Sequence, residues 1–177
     1  MSRRRVAAPW GNRVVGTGTV PAGQLLANPG NWRIHPDVQA DQLGAVLGAV
    51  GFVQTVIVNR RSSPAWGKDR HVETLVDGHL RVHLALARGE ETPVPVSYVD
   101  LKPAEERLIL AVFDPLSALA GRDDEKLASL REEVLVDLPD WTGIDLGAIL
   151  DRERRGGRKH VEFSAKMTVC PACGHEW

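Results

Sequence analysis

The sequence has little cysteine. Two occur in 177 residues, at positions 170 and 173. So close a pair is no disulfide framework and suits a reducing compartment, so a cytoplasmic location is expected. Long apolar runs are missing as well. No stretch approaches the roughly 20 residues that cross a bilayer, and no membrane association is expected. Met1-Ser2-Arg3-Arg4-Arg5 leads into no apolar signal core, so secretion is not expected. Excess charge of either sign is also lacking. A formal net charge of −1 argues against a uniformly basic nucleic-acid binder and leaves room for a local basic patch. There is no internal repeat. The Gly16-Thr17-Gly18 pattern is followed by no helix and is no dinucleotide fingerprint.

What is present suffices for a core: 43% of residues are hydrophobic and 25% charged. The length fits one domain with an appendage. The chain is expected to divide into a basic arm (1–13), a folded domain (14–120), a helical extension with its linker (121–157) and a tail carrying Cys-x-x-Cys (158–177). Arg3, Arg4, Arg5 and Arg13 make the arm a solvated tail or a contact for DNA phosphates.

The domain is organised around Val72 to Gly89. Val72-Glu73-Thr74-Leu75-Val76 suits a buried strand. At Asp77-Gly78 the period changes, and Leu80, Leu84 and Ala87 recur at helical spacing until Gly89 supplies a stop. A strand passing through glycine into a helix offers free N–H groups and the positive helix end, which attract anions. Asp77, His79 and Arg81 sit at this junction. Each has a plainer use: Asp77 as a helix cap, His79 as a satisfied residue of the first turn, Arg81 as a salt-bridge partner on the helix surface. His83, one turn on, reads as structural or exposed.

Further elements flank the junction. Residues 14–20 read as a strand, Gln24 to Ala27 as a turn of helix and Asn28 to Asn31 as a turn. Asp37 to Val50 reads as a helix in which Gly44 and Gly48 permit close packing on the sheet. Phe52 to Asn59 is a strand, Arg60 to Arg70 a polar loop, and Thr92 to Val99 a strand whose prolines place it near an edge. Pro103 to Val112 is a helix broken by Asp114-Pro115. Asp123 to Val136 and Ile144 to Arg155 are further helices.

Several of these segments, in this order, resemble the ParB/sulfiredoxin family from about Asn28 to Ala120. They are Asn28-Pro29-Gly30-Asn31-Trp32-Arg33, Gly51-Phe52-Val53-Gln54-Thr55-Val56, and Asp77-Gly78-His79-Leu80-Arg81. Val99-Asp100-Leu101, Glu105-Glu106-Arg107-Leu108 and Asp114 to Ala120 resemble the ParB-like domains of phages and mobile elements. The resemblance implies an α/β (α+β) fold: a small mixed sheet with flanking helices and a helical C-terminal extension. It also implies a nucleoside triphosphate, ATP or CTP, bound with Mg²⁺. By position, Asn31, Arg33, Gln54, Gly78, His79 and Arg81 would bind the nucleotide. Asp77 and His79 would be the candidates for metal–water contact or proton transfer. The implied partners are DNA or a DNA-modifying enzyme, together with a possible second copy of the chain. The chain departs from chromosome-segregation ParB in three respects: Gly-Glu-Arg-Arg is replaced, Glu-Asn-x-x-Arg is not evident, and no helix-turn-helix follows. The cysteine beside the sulfiredoxin glycine turn is missing.

The tail, Cys170-Pro171-Ala172-Cys173-Gly174-His175, resembles one zinc knuckle. Thiolates two residues apart in a tight turn both reach a tetrahedral Zn²⁺, and His175 and His160 are candidates to complete the set. A redox dithiol or an unpaired tail are the other readings. Three functions remain open. One is a nucleotide-binding domain, with or without NTPase activity, working beside DNA-processing partners. Another is a kinase acting on a free serine-like or nucleic-acid hydroxyl. The last is a non-catalytic adaptor.

Overall fold

β-branched alternation builds the sheet that carries the site. In a computed structural model, which describes residues 10–62, 71–121, 123–137 and 144–151, four strands pair as one mixed sheet. They are β1 (Val14–Pro21), β2 (Val56–Ser62), β3 (His71–Asp77) and β4 (Pro93–Val99), in spatial order β1-β4-β2-β3. β1 runs antiparallel to β4, β3 antiparallel to β2, and β2 parallel to β4. The helices are α1 (Asp37–Val50), α2 (His79–Arg88), α3 (Pro103–Ala118), α4 (Asp124–Asp137) and α5 (Leu146–Asp151).

The core lies between the sheet and α2. Val56, Val58, Leu75, Val94, Val96 and Tyr98 point inward from alternate strand positions and meet Val82 and Ala85 of α2. Each fully buried valine or leucine contributes about 1.5–3 kcal/mol relative to exposure. The neighbouring strand positions Asn59, Thr74 and Val76 are buried as well. By alternation they face the other side of the sheet, and it is from that side that α3 reaches Asn59 and packs on β3. Among the described residues no helix is long and apolar enough to cross a membrane.

Most elements fall where the sequence places them, with five differences. β4 is not at an edge but between β1 and β2. The Thr92 carbonyl accepts from Ala22 N–H on the β1 side (2.9 Å), so alternation turns the nitrogens of Pro93 and Pro95 away from β1. On that side the ladder to β2 begins only at Val96, so neither proline costs a ladder bond. Asp114-Pro115 does not end α3, which runs through Pro115 to Ala118. The expected helical turn over Gln24 to Ala27 is a 3₁₀ turn at Ala22–Gln24. Leu26 instead borders the outer edge of β3, where its carbonyl accepts Leu75 N–H at 2.9 Å. β2 starts at Val56, where pairing with β4 begins, and extends through Arg60 to Ser62, which read as loop. Gly44 and Gly48 face Leu84 and Arg88 of α2 rather than the sheet.

Of the arm, residues 1–9 lie outside the described residues. Arg13 is anchored: its guanidinium donates to the Asp100 carbonyl and pairs with Glu105 at 2.9 Å. The zinc candidates His160, Cys170, Cys173 and His175 also lie outside the described residues.

Candidate functional site

The junction of β3 and α2 is fixed by backbone geometry. Gly78 sits in the left-handed region (φ 94°, ψ 20°), which side chains disfavour. Space forbids a side chain as well. A β-carbon at Gly78 would come within 2.6 Å of Val56 Cγ1, and Val56 is fully buried. Glycine is therefore what lets the turn lie against β2 while the chain swings into α2.

No side chain caps α2. Asp77 is turned to Arg81 instead, with Oδ2 accepting from Nη2 at 2.7 Å. Arg81 Nη1 donates to the carbonyls of Gln54 (3.2 Å) and Thr55 (3.3 Å). Its side chain is 12% exposed, so the guanidinium cross-braces β3, α2 and the approach to β2.

His79 joins this junction to the 28–36 segment. Its Nε2 accepts Asn28 N–H at 3.2 Å. Burial pushes its pKa down to about 4, opposed by Asp77 and Asp114 and reinforced by His35. The ring is neutral at pH 7. With Nε2 accepting, its proton resides on Nδ1.

Behind His79 lies a buried polar chain. Asn28 Nδ2 donates to Glu106 Oε1 at 2.9 Å, and Asn59 Nδ2 donates to Glu106 Oε2. Asn59 Oδ1 accepts Leu101 N–H at 2.8 Å, and Asn28 Oδ1 accepts Gly30 N–H at 2.9 Å. Asn59 is 0% exposed, Glu106 5% and Asn28 7%. Burial of such groups requires partners, and each has them. The chain ties β2, α3, the 28–36 segment and α2 into one frame.

From Asn28 the segment runs outward along α3. Trp32 Nε1 donates to the Leu110 carbonyl at 2.9 Å, and Arg33 Nη1 pairs with Asp114 Oδ1 at 2.8 Å. Between this segment, α3 and the Gly78 junction lies a cleft of about 150 Å³. Asn31, Arg33, Asp77, Gly78, His79 and Arg81 all border it, as do His35, Gln39, Leu110, Phe113 and Asp114. Gln54 does not border it. Its side chain is exposed, and it contributes a carbonyl to Arg81.

Thus the polar candidates of the junction and the 28–36 segment gather at one cleft, and Gln54 lies outside its lining. Five further residues escaped sequence reasoning. Asn28 and Glu106 are 78 positions apart and leave no local signal. His35 and Asp114 each precede a proline, and Gln39 lies inside the helix expected over Asp37 to Val50, so none carries a local signal of a site. His35 Nδ1 and Gln39 Oε1 lie 3.0 Å apart, which sets the ring over the first turn of α1. Among the described residues no group of three or more His, Cys, Asp or Glu is arranged to hold a metal ion.

No protein-family model matches the sequence, and no curated protein matches it. Among solved structures, one similar chain is the C-terminally truncated chromosome-partitioning protein ParB from Caulobacter crescentus, complexed with CTPγS. The TM-score is 0.51 at 19% identity, over 68% of this chain and 62% of that one. The present chain thus spans under two thirds of that protein's length. A Pnob8-like ParB-N domain is similar at a TM-score of 0.39 and 16% identity, over 54% of this chain and 36% of that one. At 19% identity the likeness to the Caulobacter protein is one of fold, and the chain has a ParB-like fold.

Proposed function

We propose, taking the ParB-like fold as the premise, that the chain is a nucleotide-binding domain whose cleft takes the phosphates of a nucleoside triphosphate. The observation that carries this is the convergence at Gly78. Uncapped first-turn amides of α2 meet a cleft bordered by two arginines and Asn31. The cleft's size refines the reading. Small-molecule pockets enclose about 300–1,000 Å³. A cleft of about 150 Å³ holds the phosphate end and leaves the nucleoside toward the mouth.

Arg33 is the phosphate contact in this reading. Arg81 positions the turn, since two carbonyls and Asp77 already occupy its guanidinium. Asp77 and Asp114 are the carboxylates on the cleft. As hard oxygen donors they suit Mg²⁺, which keeps several waters and takes further ligands from phosphate. When bound, the ion supplies neutralisation of phosphate charge. His79 is a positioning residue, because its neutral ring accepts from Asn28 N–H. The geometry therefore favours binding, with CTP and ATP as the candidates and hydrolysis as a quantity to measure. A DNA-processing or DNA-modifying partner, and a second copy of the chain, follow from the sequence resemblance.

Calorimetry of the full chain with each triphosphate and Mg²⁺ tests the reading. Arg33→Ala is expected to weaken binding roughly tenfold, the worth of one charge-assisted contact of about 1.4 kcal/mol. Unchanged affinity in that variant places the phosphates elsewhere.

A further inference from the structure

Three contacts between the 28–36 segment and α3 form a row. Their acceptors belong to Glu106, Leu110 and Asp114, four residues apart, so they line one stripe of the helix. The donors, Asn28, Trp32 and Arg33, follow in chain order. The row grades from buried to wet. Asn28 and Glu106 are under 10% exposed, whereas the side chains of Arg33 and Asp114 are 40% and 30% exposed. The segment is a strap, hinged at Asn28 and fastened at Arg33.

We propose that Asp114 is a built-in competitor for anions at this cleft. Its carboxylate holds the Arg33 guanidinium and latches the strap onto α3, so an entering anion gains the arginine only by displacing Asp114. This rests on the nucleotide reading above for the ligand's identity, and on the row of contacts for its physics. The other arginine–aspartate pair on the cleft cannot play this part. Arg81 is mostly buried and donates to two carbonyls besides Asp77. The Arg33–Asp114 pair is half-exposed, and such pairs are weak and screened by salt. The turn beneath it is softened too, because Pro115 offers the Ala111 carbonyl no helical donor. Exchanging one carboxylate for one singly charged anion is close to neutral. A chain of phosphates brings more charge than it displaces. Asp114 thereby weakens every anion that needs Arg33 by the same factor, and a chain of phosphates, with further contacts to make, binds in spite of it.

The test uses the full chain without divalent cations and three probes: inorganic phosphate, pyrophosphate and tripolyphosphate. Asp114→Asn and Asp114→Ala are compared with the parent by calorimetry. Hydrogen exchange at the Trp32 indole N–H, assigned with Trp32→Phe, reports the strap itself. Both Asp114 variants are expected to bind tripolyphosphate roughly 3–10-fold tighter, as release of a weak ion pair allows. The indole should exchange several-fold faster. Equal or weaker binding by the variants overturns the proposal while leaving the nucleotide reading in place. If no protein binds any probe, the proposal is overturned, and the nucleotide reading stands or falls on the separate titration with triphosphate and Mg²⁺. Unchanged indole exchange in the variants overturns the latch as well.

Discussion

The cleft has two walls of different construction. On the β3–α2 side, shape comes from backbone and close approach: a left-handed glycine against buried Val56, braced by a guanidinium on two carbonyls. On the α3 side, shape comes from side-chain contacts, buried at Asn28–Glu106 and exposed at Trp32 and Arg33. The difference teaches where each wall is vulnerable. A backbone-built wall fails at a single added carbon. A side-chain wall fails in proportion to how dry the broken contact is. His79 is the joint between them, since it opens α2 and accepts from Asn28.

The sharpest way to break the comparison is Gly78→Ala. Left-handed strain and the 2.6 Å approach to Val56 add, and a loss of about 4 kcal/mol is expected in denaturant unfolding. A loss below about 1 kcal/mol would put the two walls on the same footing. Substitution here reports on folding, so it cannot serve as a clean binding test.

Next comes pH. The folded His79 pKa lies near 4, against 6.5 for an ordinary histidine. The unfolded chain therefore takes up a proton that the folded ring refuses. Stability held above pH 6.5 drains as pH falls toward 4, by up to about 3 kcal/mol. His79→Gln, which keeps an acceptor for Asn28 N–H, should flatten that portion of the stability profile. An identical profile would remove His79 as the joint.

Within the strap wall, Glu106→Ala deprives Asn28 and Asn59 of their shared acceptor, and about 2–3 kcal/mol should be lost. The wet end should matter least. Arg33→Ala should cost under about 1 kcal/mol of stability, whatever it does to ligand binding. If the last two variants prove equally costly, the gradient along α3 is not energetic.

The sequence carried the backbone wall plainly. A β-branched run, a glycine, helical spacing and a second glycine at position 89 are local signals, and the fold obeys them. Gly89 has φ 142° and closes α2. The other wall was nearly invisible. Its donors and acceptors lie 78 to 81 positions apart, as Asn28–Glu106 and Arg33–Asp114 show, and no periodicity encodes such pairing. Prolines misled in both directions. Pro93 and Pro95 suggested an edge strand, although their nitrogens only needed to avoid a ladder that starts later. Pro115 suggested a helix end, although α3 continues past it. Asp77 read as a helix cap and Arg81 as a salt-bridge partner on the helix surface; the fold turns Asp77 to Arg81 and leaves the cap unfilled.

The placement of β4 has a consequence for how the protein comes into being. The first strand is not paired with β2 or β3; β4 stands between β1 and β2 and is the last of the four strands to emerge from the ribosome. Until it is inserted, the edges of β1 and β2 that it will cover stay open to wrong partners. Assembly of the sheet is thus a late, keystone-like event that needs residues as far along as Val99.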